Sequence, residues 1–273
     1  TECKIIPVLH ASPHTYVSWF FPNKFTSIKT YLRYLKMSFY WRPKHLSLFK
    51  KIIKTCGTMV CVSRAASEEL KHMLNDFENQ ITFINNPISF LNDQSNTSEH
   101  KNNTLIYVGR LSPEKNPLEM LKIWQSIAPK HPDWNFQLLG DGVCYPEMKS
   151  YIEEHKLQNI ELLGSVFNVE EYLEKSKICM LLSYFEGLPT SLLEASRYKN
   201  ALIGYKSVGG VSDVIQSGEN GFLQPLHDVD GIIDSLEKLM DNGDLLTQLG
   251  ERSFLNLEKF SDKKILKKWE SLL

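Results

Sequence analysis

The sequence is poor in the residues that mark several large protein classes. Its five cysteines, Cys3, Cys56, Cys61, Cys144 and Cys179, are odd in number and contain no C-x-x-C pair. That argues against a disulfide framework or a zinc site of paired thiolates, and predicts reduced, buried thiols in a cytoplasmic protein. On that reading the Asn-x-Ser/Thr triplets at Asn96 and Asn102 are chance matches. No His/Cys cluster has zinc spacing, and there is neither a Walker phosphate loop nor an obvious Ser/His/Asp set. No run of about 18 uncharged apolar residues is present, so no membrane-spanning helix is expected. The opening residues do not read as a charged-then-apolar secretion signal. Acids are scarce at the start: residues 1–60 hold ten Lys/Arg against one acid, Glu2, in a chain of net charge −1. A split of this kind points to a partner for the basic part.

The 273 residues suffice for one large or two ordinary domains. In the second half, short apolar runs alternate with amphipathic stretches. "TLIYVG" (104–109), "NFQLLG" (135–140), "IELLG" (160–164), "ICMLLS" (178–183) and "ALIGY" (201–205) read as strands. Helices are expected over Pro117–Lys130, 146–156, 169–176, the segment after Pro189, a short one after Gly209 and Gly210, then 228–241 and 244–259. This α/β alternation predicts a parallel sheet covered on both faces, with ligands at the carboxyl ends of its strands. The first half repeats the rhythm with strands at 4–10, 58–63 and 81–84, two basic, aromatic helices between the first two, and a helix from Arg64 to Leu74. The polar segment 91–103 breaks the pattern and reads as a linker. Residues 262–273 form a closing amphipathic helix. Two strong strands and one weaker one leave the first sheet with an unprotected edge. Because the first residue is Thr1 and not Met, upstream strands are expected to be missing.

Two clusters of polar residues carry the candidate chemistry. In "FEGLPTSLLEA" (185–195), Glu186 precedes a Gly/Pro turn and Glu194 lies one turn into a helix. Pro189 suits a first helical turn, and Thr190 and Ser191 place hydroxyls beside N–H groups that favour anions. The two carboxylates would accept hydrogen bonds from neutral hydroxyls. A ligand with both phosphates and sugar hydroxyls satisfies the whole arrangement; the other reading is a capped helix with a solvent-facing Glu194 and an exposed loop Glu186. In "VGRLSPEKN" (108–116), Arg110 and Lys115 follow a strand end. They are either a diphosphate grip or a pair of surface cations. "DVD" (228–230) is better read as Asp228 capping a helix than as a metal site, and no metal is expected.

Taken together, "VGRLSPEKNP", "LLGDG", "SYFEGLPTSLLEA" and "SVGGVSDVIQSGENGFL" resemble, in order and spacing, the donor-binding domain of glycosyltransferase family 4. The likeness covers about residues 104–242. "VCVSRAASEEL" and "FINNPI" resemble the end of that family's first domain, and 262–273 its returning helix. The resemblance implies a GT-B fold: a partial Rossmann-like domain at 1–90, a linker at 91–103, a nucleotide-sugar-binding Rossmann-like domain at 104–260, and a helix at 261–273 crossing back. It further implies that Glu186 faces the donor sugar hydroxyls and Glu194 the ribose, that Arg110 and Lys115 hold the diphosphate, and that the turn Gly187, Leu188, Pro189 and Thr190 meets the same phosphates. Gly140 and Gly142 would admit the nucleotide, and His10 would lie near the reacting sugar. Asp213 stands where Glu is commoner, and the family's glycine-rich loop after its first strand is absent.

The implied activity is retaining transfer of a hexose or related sugar from a nucleotide sugar, UDP-linked by family, to a glycan or polyprenyl/lipid-linked acceptor in surface-polysaccharide or capsule assembly, with no cofactor. The basic, aromatic stretch 28–54 suits an anionic membrane face, which would place the protein peripherally on the inner side of the cytoplasmic membrane; it equally suits an ordinary basic helical surface. Nothing resembles a nucleic-acid reading motif, so nucleic acid is not an expected partner. The alternative is a non-catalytic nucleotide-sugar-binding subunit or an inactive remnant; a nucleotide-sugar epimerase is a third reading.

Overall fold

The computed structural model describes residues 5–13, 36–88, 101–206 and 208–272. In the first lobe, β1 (Val8–Leu9), β2 (Met59–Cys61) and β3 (Ile81–Phe83) pair in that order, all parallel. The expected strand over 4–10 is thus shorter, two residues among those described. Helices α1 (Arg42–Cys56) and α2 (Arg64–Met73) cover the sheet. Phe49 and Ile53 of α1 and Leu70 of α2 join Met59, Cys61 and Ile81 in one buried cluster. Gly57, in the left-handed region at φ 79°, ends α1 by donating to the Ile53 carbonyl. Ser63 caps α2 by accepting the Ala66 N–H at 3.2 Å. Of the basic stretch 28–54, the part before residue 36 lies outside the described residues.

The second lobe runs β4 (Thr104–Val108), α3 (Pro117–Ile127), β5 (Asn135–Leu139), α4 (Tyr145–His155), β6 (Ile160–Gly164), α5 (Val169–Lys175) and β7 (Ile178–Leu181). It continues through β8 (Phe185–Glu186), α6 (Thr190–Arg197), β9 (Ala201–Tyr205), β10 (Val208–Gly209), α7 (Val211–Val214) and β11 (Gly221–Gln224). Six of these strands form a parallel sheet in the order β11-β9-β7-β4-β5-β6. Chain order therefore reverses between β4 and β7, which makes the carboxyl ends of those two strands the place where a doubly wound sheet binds its ligand. Apolar residues from both faces, among them Tyr107, Trp124, Phe136 and Tyr205, are fully buried. The buried indole of Trp124 donates to the Gln158 carbonyl at 3.0 Å.

Helices α8 (Val229–Met240) and α9 (Gly243–Asn256) close the lobe, and Asp228 caps α8 through the Gly231 N–H at 3.0 Å, as the sequence suggested. The chain then returns: α10 (Asp262–Glu270) buries Ile265 against Val60 and Ile84 of the first lobe. Ile88 donates to the Phe260 carbonyl at 2.9 Å beside an isolated bridge between Ile88 and Ser261. The fold is α/β with two parallel lobes, as the resemblance implied. No described helix is long and apolar enough to cross a membrane.

Candidate functional site

The loops after β4 and β7 meet at the switch point, and a polar network locks them together. The main-chain N–H of Tyr184 donates to the Glu114 carbonyl at 2.8 Å, and its phenol donates to the Asn116 side chain at 3.0 Å. Asn116 also donates to Glu119, whose carboxylate accepts the Tyr205 hydroxyl at 2.6 Å. Burial and then the Glu119 charge push the Tyr184 phenol up, so it stays a neutral hydrogen-bonding group.

This frame sets Lys115, at the end of the turn Pro113–Lys115, against Glu186 in β8. Their Nζ and Oε1 are 2.5 Å apart, and the Ser183 hydroxyl donates to the same oxygen at 2.6 Å. The two side chains are 20% and 9% exposed. Glu186 is therefore not the exposed loop residue of the simpler reading. Its partners are Lys115 and Ser183, and the two residues expected to meet different parts of a ligand meet each other. Arg110 is exposed just beyond β4, its carbonyl accepting the Tyr107 hydroxyl at 2.8 Å.

The motif loop is held from two other sides. β8 pairs in parallel with β10, matching Glu186 with Gly209. A Cβ on Gly209, whose φ is +105°, would lie 1.7 Å from the Glu186 carbonyl oxygen, and one on Gly210 would lie 2.3 Å from that of Gly187. Only glycines let the two segments touch. From the first lobe, the main chain at the end of β1 packs on Gly187, where a Cβ would stand 2.1 Å from the His10 carbonyl oxygen. The exposed His10 is thus brought to the motif loop by its backbone.

Leu188 and Pro189 are buried, and Thr190, exposed, opens α6. Pro189 is the residue before the helix, with ψ 96°, and not in its first turn; its fixed φ still aims the chain into α6. Gly140 and Gly142 sit at the end of β5 under the main chain of the β4 loop. A Cβ on Gly140 would lie 1.8 Å from the Gly109 carbonyl oxygen, and one on Gly142 2.3 Å from that of Leu111. The close approach that requires glycine here is to the protein's own backbone.

Glu194 lines a separate pocket of about 220 Å3 between α5 and α6. Burial, and then the charge of Glu170, holds its carboxyl above the usual range. Phe167, fully exposed, and Arg197 line the same pocket. Sequence reasoning missed Phe167, Glu170, Arg197 and Ser183. The available signals were an aromatic residue in the polar loop "SVFN" and a serine closing the apolar run "ICMLLS".

The switch point offers a cation and a carboxylate in contact, a second cation and the start of a helix whose first N–H groups have no partner within the helix; the separate pocket on the same helix offers an acid and an aromatic ring. Such a set suits an anion joined to hydroxyls and a planar ring.

Comparison with known proteins agrees. The family model described as glycosyl transferases group 1 matches residues 89–255. An uncharacterized glycosyltransferase of Haemophilus influenzae is 28% identical over 222 residues, 81% of this chain and 62% of its own length. The Campylobacter jejuni alpha-1,4-N-acetyl-D-galactosaminyltransferase acting on a diNAcBac-PP-undecaprenol-linked glycan is 26% identical over 72% of this chain and 55% of its own length. A mutant of Staphylococcus aureus TarM, solved in complex with UDP, alpha-GlcNAc-glycerol and fondaparinux, superposes with a TM-score of 0.77 at 21% identity. That match covers 98% of this chain and 50% of the other, so the chain spans roughly half to three fifths of the length of these three proteins.

Proposed function

This chain belongs to the glycosyl transferases group 1 family, and from that premise we propose that it transfers a hexose or related sugar, with retention, from a UDP-sugar to a glycan or lipid-linked acceptor in surface-polysaccharide assembly. The observation that carries this reading is the contact of Lys115 with Glu186 at the switch point, beside the start of α6. An ammonium has three donors, so Lys115 can hold Glu186 and a phosphate oxygen together. Arg110 and the first N–H groups of α6 add charge on the other side of the same diphosphate. Charge developing on the leaving nucleotide is then met by groups already in place, which is how many enzymes gain most of their rate. Glu186, fixed by Lys115 and Ser183, orients the sugar through its hydroxyls, and Glu194 takes the ribose, with Phe167 beside it to stack on the base. His10 approaches from the first lobe.

Two similar proteins support the substrate class: UDP accompanies TarM, and the Campylobacter enzyme acts on an undecaprenol-linked glycan. UDP release across a panel of UDP-sugars, with and without a lipid-linked acceptor, tests the proposal. Arg110→Ala and Glu186→Ala should each slow sugar transfer by about 10²-fold; full activity in both would refute the site.

Attachment to an anionic membrane is supported by exposed Phe39, Tyr40 and Leu48 next to Arg42, Lys44 and Lys51 around α1. Sedimentation with anionic vesicles that is unaltered by Phe39→Ser with Leu48→Ser would rule that surface out.

A further inference from the structure

Where the lobes meet beside the returning helix, a cavity of about 690 Å3 opens outside the crevice that holds Lys115 and Glu186. Five cations border it: Arg64 at the start of α2, Lys259 in the turn before α10, and Lys264, Lys267 and Lys268 on α10. Their spacing sets the three α10 lysines on one side of that helix. The adjoining face is anchored by Ile265 in the first lobe, so the helix cannot turn the lysines away.

The one acid bordering the cavity is Asp213, and its carboxylate is already engaged. Oδ2 accepts the Arg64 N–H at 2.6 Å, and the Ala65 N–H and the Asn85 side chain reach it as well. Lys264 pairs with Glu258 at 3.2 Å. Among the described residues, Arg64, Lys259, Lys267 and Lys268 have no carboxylate within 4.0 Å. The Arg64 guanidinium and the Lys268 ammonium lie 5.2 and 5.1 Å from the ring centre of Phe83. Cations gathered over one aromatic floor repel each other unless an anion joins them.

We infer that this cavity is a second ligand site, distinct from the donor crevice, and that it takes a phosphodiester-bearing anion. An Arg fork with several lysine point charges matches phosphate oxygens, the volume exceeds that of a single ion, and Phe83 and Phe260 provide apolar surface for the carbon backbone between phosphates. The phosphodiester belongs either to a soluble polyol-phosphate chain or to a lipid headgroup.

Two probes separate these sources: a synthetic glycerol-phosphate tetramer, and phosphatidylcholine vesicles with and without phosphatidylglycerol. The full chain is compared with Lys267→Glu/Lys268→Glu and with a charge-matched control, Lys122→Glu/Lys149→Glu, on α3 and α4. The cavity variant should weaken tetramer binding by about tenfold or more, the effect of one charge-assisted bond, while the control stays near the unaltered protein at equal salt. A loss confined to phosphatidylglycerol vesicles supports the site and assigns the phosphodiester to lipid. Equal binding by all three proteins in both arms, or no binding to either probe, overturns it. An unchanged thermal midpoint separates lost binding from unfolding, and Arg64→Gln, which keeps the main-chain bond to Asp213, gives an independent variant.

Discussion

Between Lys115 and Glu186 lies one contact of 2.5 Å, with the Ser183 hydroxyl as the other partner of the carboxylate. A carboxylate only 9% exposed needs such partners, because breaking a buried pair leaves an uncompensated charge. Lys115→Met should therefore lower stability by about 3 kcal/mol and slow transfer by about 10²-fold. Adding Glu186→Gln should recover much of the thermal midpoint and none of the turnover. Calorimetry and a transfer assay on the single and double variants check this; a midpoint that falls further in the double variant would show that the pair does not act as a unit. At this scale the sequence made the need for a partner visible, since an acid beside a buried turn must be met by something polar. It did not reveal which partner, because the two residues are 71 positions apart and each had a separate reading as a ligand group.

Pairing of β8 with β10 shows how a short element can fix a site. The pair has two residues on each side, yet it sets the height of Glu186 over the end of β7. Gly209→Ala would put a methyl carbon 1.7 Å from the Glu186 carbonyl oxygen at a φ that L residues rarely adopt. It should break the pairing, lower stability by more than about 1 kcal/mol and reduce transfer while most of the circular dichroism remains. Gly243→Ala, which meets open space at the start of α9, should be neutral or slightly stabilising and serves as its control. Unimpaired transfer by Gly209→Ala would mean that the pairing does not position Glu186. The long, periodic elements were legible: β4, β5, β7, β9 and the helices from α3 to α9 appear within a few residues of expectation. The strands β8, β10 and β11 were not, because each is a two- to four-residue run set against glycine or proline, which reads as a loop. Pro189 was expected inside the first turn and stands just before it, since a proline φ near −65° fits either position.

At the scale of the whole molecule, the lobes are joined by polar contacts as well as by the returning helix. Asp213 accepts N–H groups at the start of α2, and the end of β1 rests on Gly187. Neither contact was readable locally: the Asp213 contact links residues 149 positions apart, and the rhythm of strands and helices suggested two lobes without showing which residues join them. Glu69, on α2, is a third such contact. Its carboxylate accepts the Ser12 hydroxyl at 3.0 Å and the Gly209 N–H, so it touches the segment that supports Glu186. Burial raises its pKa from the usual 4.5 to about 7, against the lowering effect of those two donors. The neighbouring Cys61 thiol, pushed up to about 12 chiefly by burial, does not titrate in that range. Between pH 4.5 and 7 the folded chain keeps this proton and the unfolded chain has lost it, so the unfolded state binds fewer protons and stability falls as pH rises. Below 4.5 both states are protonated and above 7 both are ionised, so the contribution is flat outside the window. Glu69→Gln should therefore flatten part of that decline and exceed the unaltered protein in stability near pH 8, with little difference near pH 4.5. Urea midpoints measured across this range decide the matter: parallel curves for the two proteins, or a steeper decline in the Gln variant, would mean that the proton on Glu69 does not help to hold the lobes together.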